Sequence, residues 1–412
     1  MSFDFSHRKS VIKIKLEDKD GKALANEEIT VNQTQNEFLF GCGGFEAVEL
    51  AGGSFDGTPH PPERVAAMKD SLGKIFRHNN FATLPFYIGR YEREEGKPDE
   101  KRTKAAAEWY IKRNIKPKGH PLCWHTVCAP WLMNYSNKEI FEKLIKRIER
   151  DVTAFKGIID IWDVINEVVI MPDFREDNAV TRVCKEMGRV ELVKAVFEAA
   201  RRSNPDALLL LNDYIVDDKY RDLIDECLQA GVKIDVIGIQ THQHRGYWGK
   251  EKMYEVLERF AKFGLPLHYT ENTLISGDLM PSTGEFGGRK NPEDWPSTTE
   301  GEERQKNEIL EFYSILFAHP QVKAITNWSP RDGGWLNAPA GFLRLDNSEK
   351  PSLIALGEKI TKEWSTNTKL VSNVEGIITL DGFRGTYELT AKNQKGSFVL
   401  DGKNESLDLK LA

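Results

Sequence analysis

Between residues 38 and 364, apolar runs with β-type composition alternate strictly with amphipathic runs of helical period. The apolar runs predict strands at Phe38–Cys42, Asn80–Leu84, Lys118–Trp124, Ile158–Asn166, Ala207–Tyr214, Ile234–Thr241, Pro266–Thr270 and Ala324–Trp328. The helical patterns fall at 63–76, 101–114, 137–155, 181–203, 217–230, 250–263, 303–318 and 350–364. Ser136 followed by Glu139 reads as a capping box for the third helix, and Gly264 as a stop after Phe263. Eight strands interleaved with eight helices is the count of a closed (β/α)8 TIM barrel. A doubly wound sheet would need fewer units and a glycine-rich first turn. Gly41-Cys42-Gly43-Gly44 follows the first strand but opens no G-x-G-x-x-G helix start.

The flanks read differently. Ile12, Ile14 and Leu16, then Asp20-Gly21, then Ile29 and Val31, predict an N-terminal β-hairpin within residues 1–35. After about residue 366, short strand patterns separated by Asp381-Gly382 and Asp401-Gly402 predict a small all-β tail. The expected organisation is therefore a barrel over 36–365 with an accessory β region built from the hairpin and tail 366–412. The tail is small for an independent sandwich, so packing against the hairpin is expected. A chain of 412 residues suits one barrel of this kind plus a module.

The net charge of −6, with acids and bases interspersed, argues against a nucleic-acid partner. Five cysteines without C-x-x-C spacing point to neither a disulfide framework nor a structural zinc. No run is long and apolar enough for a membrane span, and no leader is visible. The compartment stays open: secreted or periplasmic if a leader was removed, cytoplasmic otherwise. A monomer is expected.

The segment Ile158–Glu167, I-I-D-I-W-D-V-I-N-E, ends an apolar strand in Asn166-Glu167. A carboxylate where a barrel strand runs out lies at the rim on which such barrels build their sites. Pro266–Glu271 ends the same way. Two carboxylates at two strand ends are the minimum equipment for cutting a glycosidic bond with an acid and a nucleophile. Other strand ends carry Gly119-His120 with Trp124-His125, then Ala129-Pro130-Trp131, Asn212-Asp213-Tyr214, Gln240-Thr241-His242, and Trp328 with Trp335 close behind. His242-Gln243-His244 has a metal-ligand spacing, but further ligands are not evident, so no metal and no cofactor are expected.

The segments W-D-V-I-N-E, G-H-P-L-C-W-H with A-P-W-L, L-N-D-Y, G-I-Q-T-H and Y-T-E, in that order, resemble glycoside hydrolase family 10, the endo-β-1,4-xylanases. The resemblance spans roughly residues 36 to 362. It implies a retaining mechanism with Glu167 as acid/base and Glu271 as nucleophile. It further implies that Asn166 holds the 2-hydroxyl of the cleaved sugar and that His242, supported by Gln240, bonds Glu271. His125 would contact the same sugar, Trp328 and Trp335 would wall the site, and Tyr214 would serve the leaving-group side; the loop positions of Trp131, Trp328 and Trp335 favour stacking on sugar rings. One departure stands out: the family's E-N-x-x-K cluster on the second strand, which binds distal sugars, is replaced. Phe86 and Tyr87 occupy the E-N slots and Arg90 the lysine slot. Tyr87 and Arg90 are thus candidate substrate contacts. The alternatives are a β-glucanase, a hydrolase of decorated hemicellulose, or a non-catalytic carbohydrate-binding barrel.

Overall fold

The computed structural model describes residues 3–54, 58–280 and 291–412. In chain order the strands are β1 (Lys9–Glu17), β2 (Glu28–Asn36), β3 (Leu39–Gly43), β4 (Phe81–Pro85), β5 (Lys116–His120), β6 (Ile161–Asn166), β7 (Leu208–Asp213) and β8 (Val236–Gln243). They continue as β9 (Leu267–Leu274), β10 (Val322–Asn327), β11 (Asn367–Val371), β12 (Ile377–Phe383), β13 (Gly385–Ala391), β14 (Gln394–Leu400) and β15 (Ser406–Lys410). Strands β3 to β10 close into a barrel in which β10 pairs with both β9 and β3. The predicted TIM barrel is therefore present, strand for strand.

Boundaries moved where local chemistry decides them. The strand expected from Ile158 begins at Ile161, because the N–H groups of Ile158 and Ile159 still bond the Phe155 carbonyl at the end of the preceding helix. The strand expected to reach Trp124 stops at His120, where Pro121 removes the next ladder donor. The single helix expected over 181–203 is two, Ala179–Met187 and Arg189–Ser203, broken at Gly188 with φ +88°. The Ser136–Glu139 capping box forms in both directions.

The expected N-terminal hairpin does not form. Gly21 (φ +81°) does turn the chain, with Asp18 N–H on the Lys22 carbonyl. The chain then crosses over, so β1 pairs with β12 and β15, while β2 pairs with β11 and β13 in a second sheet. As hairpin partners, the two strands would leave their apolar faces side by side and uncovered. In opposite sheets those faces cover each other. Ile12, Ile14 and Leu16 meet Ile29, Val31, Tyr387, Leu389 and Phe398 in one buried core.

This sandwich seats on the end of the barrel where the strands begin. Arg8 donates from Nε to the Phe317 carbonyl at 3.0 Å and from Nη2 to the carbonyl of Val322, the first residue of β10, at 2.7 Å. Trp364 stacks on Phe40 of β3 at 5.7 Å. A separate apolar cluster of Leu39, Phe81, Ile161, Leu210, Val236 and Ala324 comes from six barrel strands near their starts. Polar side chains further along these strands therefore face the opposite, open end. No helix among the described residues is long and apolar enough to cross a membrane.

Candidate active site

Glu167 is the first residue after β6, and its backbone lies in the left-handed region with φ +55°, a conformation that strains a non-glycine residue. The neighbouring strand end holds it there. Glu167 N–H bonds the Asn212 carbonyl at 2.8 Å, and the buried Asp213 carboxylate accepts the N–H of Val169 at 3.0 Å. The Glu167 carboxyl is in turn fixed from three sides. Trp124 Nε1 donates to Oε2 at 2.9 Å; Gln240 Nε2 and Asn166 Nδ2 donate to Oε1 at 3.1 and 3.3 Å.

Glu271 lies within β9 rather than past its end, and it is buried. The register with β8 slips between Ile239 and Gln240 opposite Tyr269 and Glu271. In a regular strand consecutive side chains point to opposite faces, and a bulge re-aims them. Here Thr270 and Glu271 both reach one side chain, Asn212. Thr270 Oγ1 donates to Asn212 Oδ1 at 2.6 Å, and Asn212 Nδ2 donates to Glu271 Oε1 at 3.1 Å.

Asn212 also donates to Asn166 Oδ1 at 2.8 Å, where Gln240 Nε2 arrives at 3.0 Å. The two glutamates are thus joined through a buried amide network. With two donors on Asn166 Oδ1, its Nδ2 must face Glu167 and the open mouth.

The far oxygen of Glu271 meets His242, whose Nε2 lies 3.1 Å away, while Nδ1 lies 3.1 Å from Thr273 Oγ1. Burial drives the His242 pKa down to about 3, so the ring is neutral. Neutral imidazole carries one proton, and the carboxylate can only accept. Nε2–H therefore donates to Glu271 and Nδ1 accepts from Thr273. Trp335 stacks face to face on this ring at 4.7 Å.

Behind Glu271 stands a second buried group. Lys118 Nζ and His120 Nδ1 lie 2.7 and 2.6 Å from Asp163 Oδ2, and His120 Nε2 is 3.9 Å from Glu271 Oε1. Burial alone would raise the Asp163 pKa, but Lys118 and His120 hold it below the ordinary carboxylate range. Both glutamates are pushed up to about 7, chiefly by burial. They differ in what opposes burial. The charge of Glu271 raises Glu167 further, whereas His120 and Lys118 lower Glu271. The neighbouring cations therefore favour ionisation at Glu271, and the charge there favours a proton on Glu167.

Of the residues singled out from sequence, Glu167, Glu271, Asn166, Gln240 and His242 share this network. Gln240 serves Glu167 and Asn166 instead of the His242–Glu271 pair. Trp328 stands edge-on to His120 at 5.0 Å. Tyr214, 38% exposed, lies on the rim, where burial and the Glu167 charge push its phenol up to about 12. Tyr87 is buried against His120 and Trp124, with the Arg90 guanidinium 5.8 Å from its ring. Phe86 packs into the core on Phe155 and Trp162.

Two residues stand elsewhere. His125 packs edge-on to Phe174 at 4.2 Å, and neither ring nitrogen has a hydrogen-bond partner among the described residues. Of His120 and His125, it is His120, at the strand end where β5 stops, that lies near Glu271. Trp131 donates its indole N–H to the Glu92 carbonyl and packs on the core. Sequence reading assigned no role to Asn212, Trp124, Asp163 or Lys118. A lysine and an aspartate set inside apolar barrel strands were a usable signal, since buried charges need partners.

Two buried carboxylates joined by one amide network at the open end of a closed barrel are the equipment of a two-carboxylate glycosidase. The sequence profile of glycosyl hydrolase family 10 matches residues 79–354, and the chain belongs to that family. It is 28% identical over 318 residues to an endo-1,4-beta-xylanase/feruloyl esterase of Xylanibacter ruminicola, covering 70% of this chain and 42% of that protein. It is 28% identical over 305 residues to endo-1,4-beta-xylanase A of the same organism, covering 68% of this chain and 79% of that one. Among solved structures, xylanase 10B from Thermotoga petrophila RKU-1 in complex with xylobiose shares the fold. Its TM-score is 0.63 at 22% identity, over 79% of this chain and 95% of that one.

Proposed function

We propose that this chain is a retaining endo-β-1,4-xylanase, with Glu271 as nucleophile and Glu167 as acid/base, acting as a monomer on a xylan-type polysaccharide. The observation that carries the reading is the asymmetry of the pair. Glu271 Oε1 and Oε2 receive donors from Asn212 and His242, backed by Lys118, while Glu167 faces the Glu271 charge. An anion is thereby stabilised at 271 and a proton at 167, which is the division a retaining mechanism needs.

In the first step Glu271 attacks the anomeric carbon while Glu167 protonates the departing oxygen. Asn166 Nδ2, turned outward by the two donors on its oxygen, meets the 2-hydroxyl of the sugar at this centre. Once the glycosyl ester forms, the charge on Glu271 is gone. Glu167, now ionised and no longer facing that charge, accepts a proton from water in the second step. The names of the xylanase relatives support xylan as substrate. The altered second-strand end keeps β-glucan and decorated hemicellulose as the readings to separate by a substrate panel.

The deciding experiment pairs two variants with an NMR assignment of the first-formed anomer. Glu271→Ala should be inactive on all substrates. Glu167→Ala should keep first-step activity on aryl glycosides whose leaving group needs little protonation. Inversion at the anomeric carbon, or equal loss in both variants on both substrate types, would refute the roles.

A further inference from the structure

We propose that Tyr87 and the rings packed around it fill the position next to the cleaved sugar on the side retained after cleavage, so that a chain can run past them but no second sugar is recognised there, and selection passes to the leaving-group side. The inference rests on the glycosidase reading above. The sides follow from the acid. A leaving oxygen must lie within proton-transfer reach of Glu167, whose outer neighbours are Tyr214 and the turn fixed by Asp213. The retained chain must then run the opposite way, across the mouth toward β3, β4 and β10.

That quadrant is filled by a closed circuit of rings. Tyr87 lies 5.5 Å from His120, His120 5.0 Å from Trp328, Trp328 5.6 Å from Phe45, and Phe45 6.0 Å from Tyr87, all edge to face. Trp124 adds a fifth ring at 5.4 Å from Tyr87. Rings at these separations are in contact, so no gap as thick as a sugar remains between them.

The circuit is also poor in groups that read hydroxyls. Specific sites need a few convergent polar side chains. Phe45 has none, His120 commits Nδ1 to Asp163 and Trp124 its indole N–H to Glu167, which leaves the Tyr87 phenol and the Trp328 indole N–H as the circuit's main hydroxyl-reading groups. Tyr87 is fixed in place from both sides along the chain: Phe86 is anchored in the core, and Gly89 N–H bonds the Val127 carbonyl at 2.8 Å. A Cβ at Gly89 would come within 2.6 Å of that same carbonyl oxygen, so the short segment after Tyr87 has no room to shift.

The test compares kcat/KM on 4-nitrophenyl β-xyloside with that on the β-xylobioside, for the full chain and for Tyr87→Asn. A second retained sugar should raise kcat/KM of the unmodified enzyme by less than about tenfold, and Tyr87→Asn should raise that ratio by about fivefold or more. The ratio cancels any loss of folded enzyme in the variant. A larger preference for the xylobioside in the unmodified enzyme, or an unchanged ratio in the variant, would overturn the proposal. Turnover of neither glycoside would instead sink the glycosidase reading, and this inference with it.

Discussion

Replacing Glu271 by Gln should lower the pKa of Glu167 without returning it to the ordinary value. The substitution keeps the shape of the side chain and removes its charge. His242 can accommodate it, because exchanging tautomers lets Nε2 accept from the new amide while Nδ1–H donates to Thr273 Oγ1. Retaining enzymes hold their carboxyls about 5–5.5 Å apart. Two unit charges at that distance in an effective dielectric of about 20 repel by ~3 kcal/mol, an upper limit of roughly 2 pH units. Burial, however, is the larger cause of the raised Glu167 value of about 7, and the variant keeps it. The expected fall is therefore about 1 to 2 units, leaving Glu167 above the usual carboxylate range. Titration of ¹³C-labelled glutamate side chains by NMR, in the parent and in Glu271→Gln, reads this directly. A fall of less than about 0.3 unit would mean that the two carboxyls do not feel each other. A fall all the way to the ordinary glutamate value would mean that burial contributes nothing. Either result would refute the account of how the acid is kept protonated.

Three further outcomes are expected. His242→Ala removes a donor from ionised Glu271, so kcat/KM should drop by about ten- to a hundredfold. Activity is lost on the acid side as Glu271 gains its proton, and losing the donor raises that pKa, so the acid limb of the pH profile should move to higher pH. Lys118→Met removes the positive charge that lowers the Glu271 pKa, so it should move the limb the same way. It should also cost about 3–5 kcal/mol in denaturant unfolding, because Asp163 is left buried without its lysine. Ser136→Ala deletes the side-chain half of a capping box on the helix Asn137–Phe155, leaving the backbone N–H of residue 136 on Glu139, and should cost about 1 kcal/mol in the same assay, with kcat/KM unchanged.

The barrel was legible because periodicity and strand-end chemistry are local properties of the chain. Asn166-Glu167 closing an apolar run, and Gln240-Thr241-His242 closing another, state the rim without any knowledge of the neighbours. The pairing of β1 and β2 was not legible, since Asp20-Gly21 encodes a turn but says nothing about which sheet receives the next strand. That choice depends on Tyr387, Leu389 and Phe398, more than 350 residues further along. The different placements of His120 and His125 were hidden for a related reason. Both lie in one segment, and only the point where β5 stops, at Pro121, decides which one faces the barrel mouth. Asn212 was hidden in another way: its role depends on a bulge in β9, and a bulge is a property of two strands.

Lys118 and Asp163 form a buried ion pair behind Glu271, and that arrangement accounts for the division of labour between the carboxyls. Lys118 is fully buried above the apolar cluster, and Asp163 neutralises it while bonding His120. Without Asp163, Lys118 would be an isolated buried cation, which is costly. Without Lys118, Asp163 would add a second uncompensated anion close to Glu271 and raise its pKa further. With both present, His120 and Lys118 lower the Glu271 pKa against the opposing charge of Asp163. Glu271 can then ionise in a buried site where a lone carboxylate would stay protonated. Glu167 faces the Glu271 charge, so the arrangement that releases the proton from one glutamate retains it on the other. Exchanging the two roles would require a cation behind Glu167. The groups that touch its carboxyl are instead neutral, the indole of Trp124 and the amides of Gln240 and Asn166.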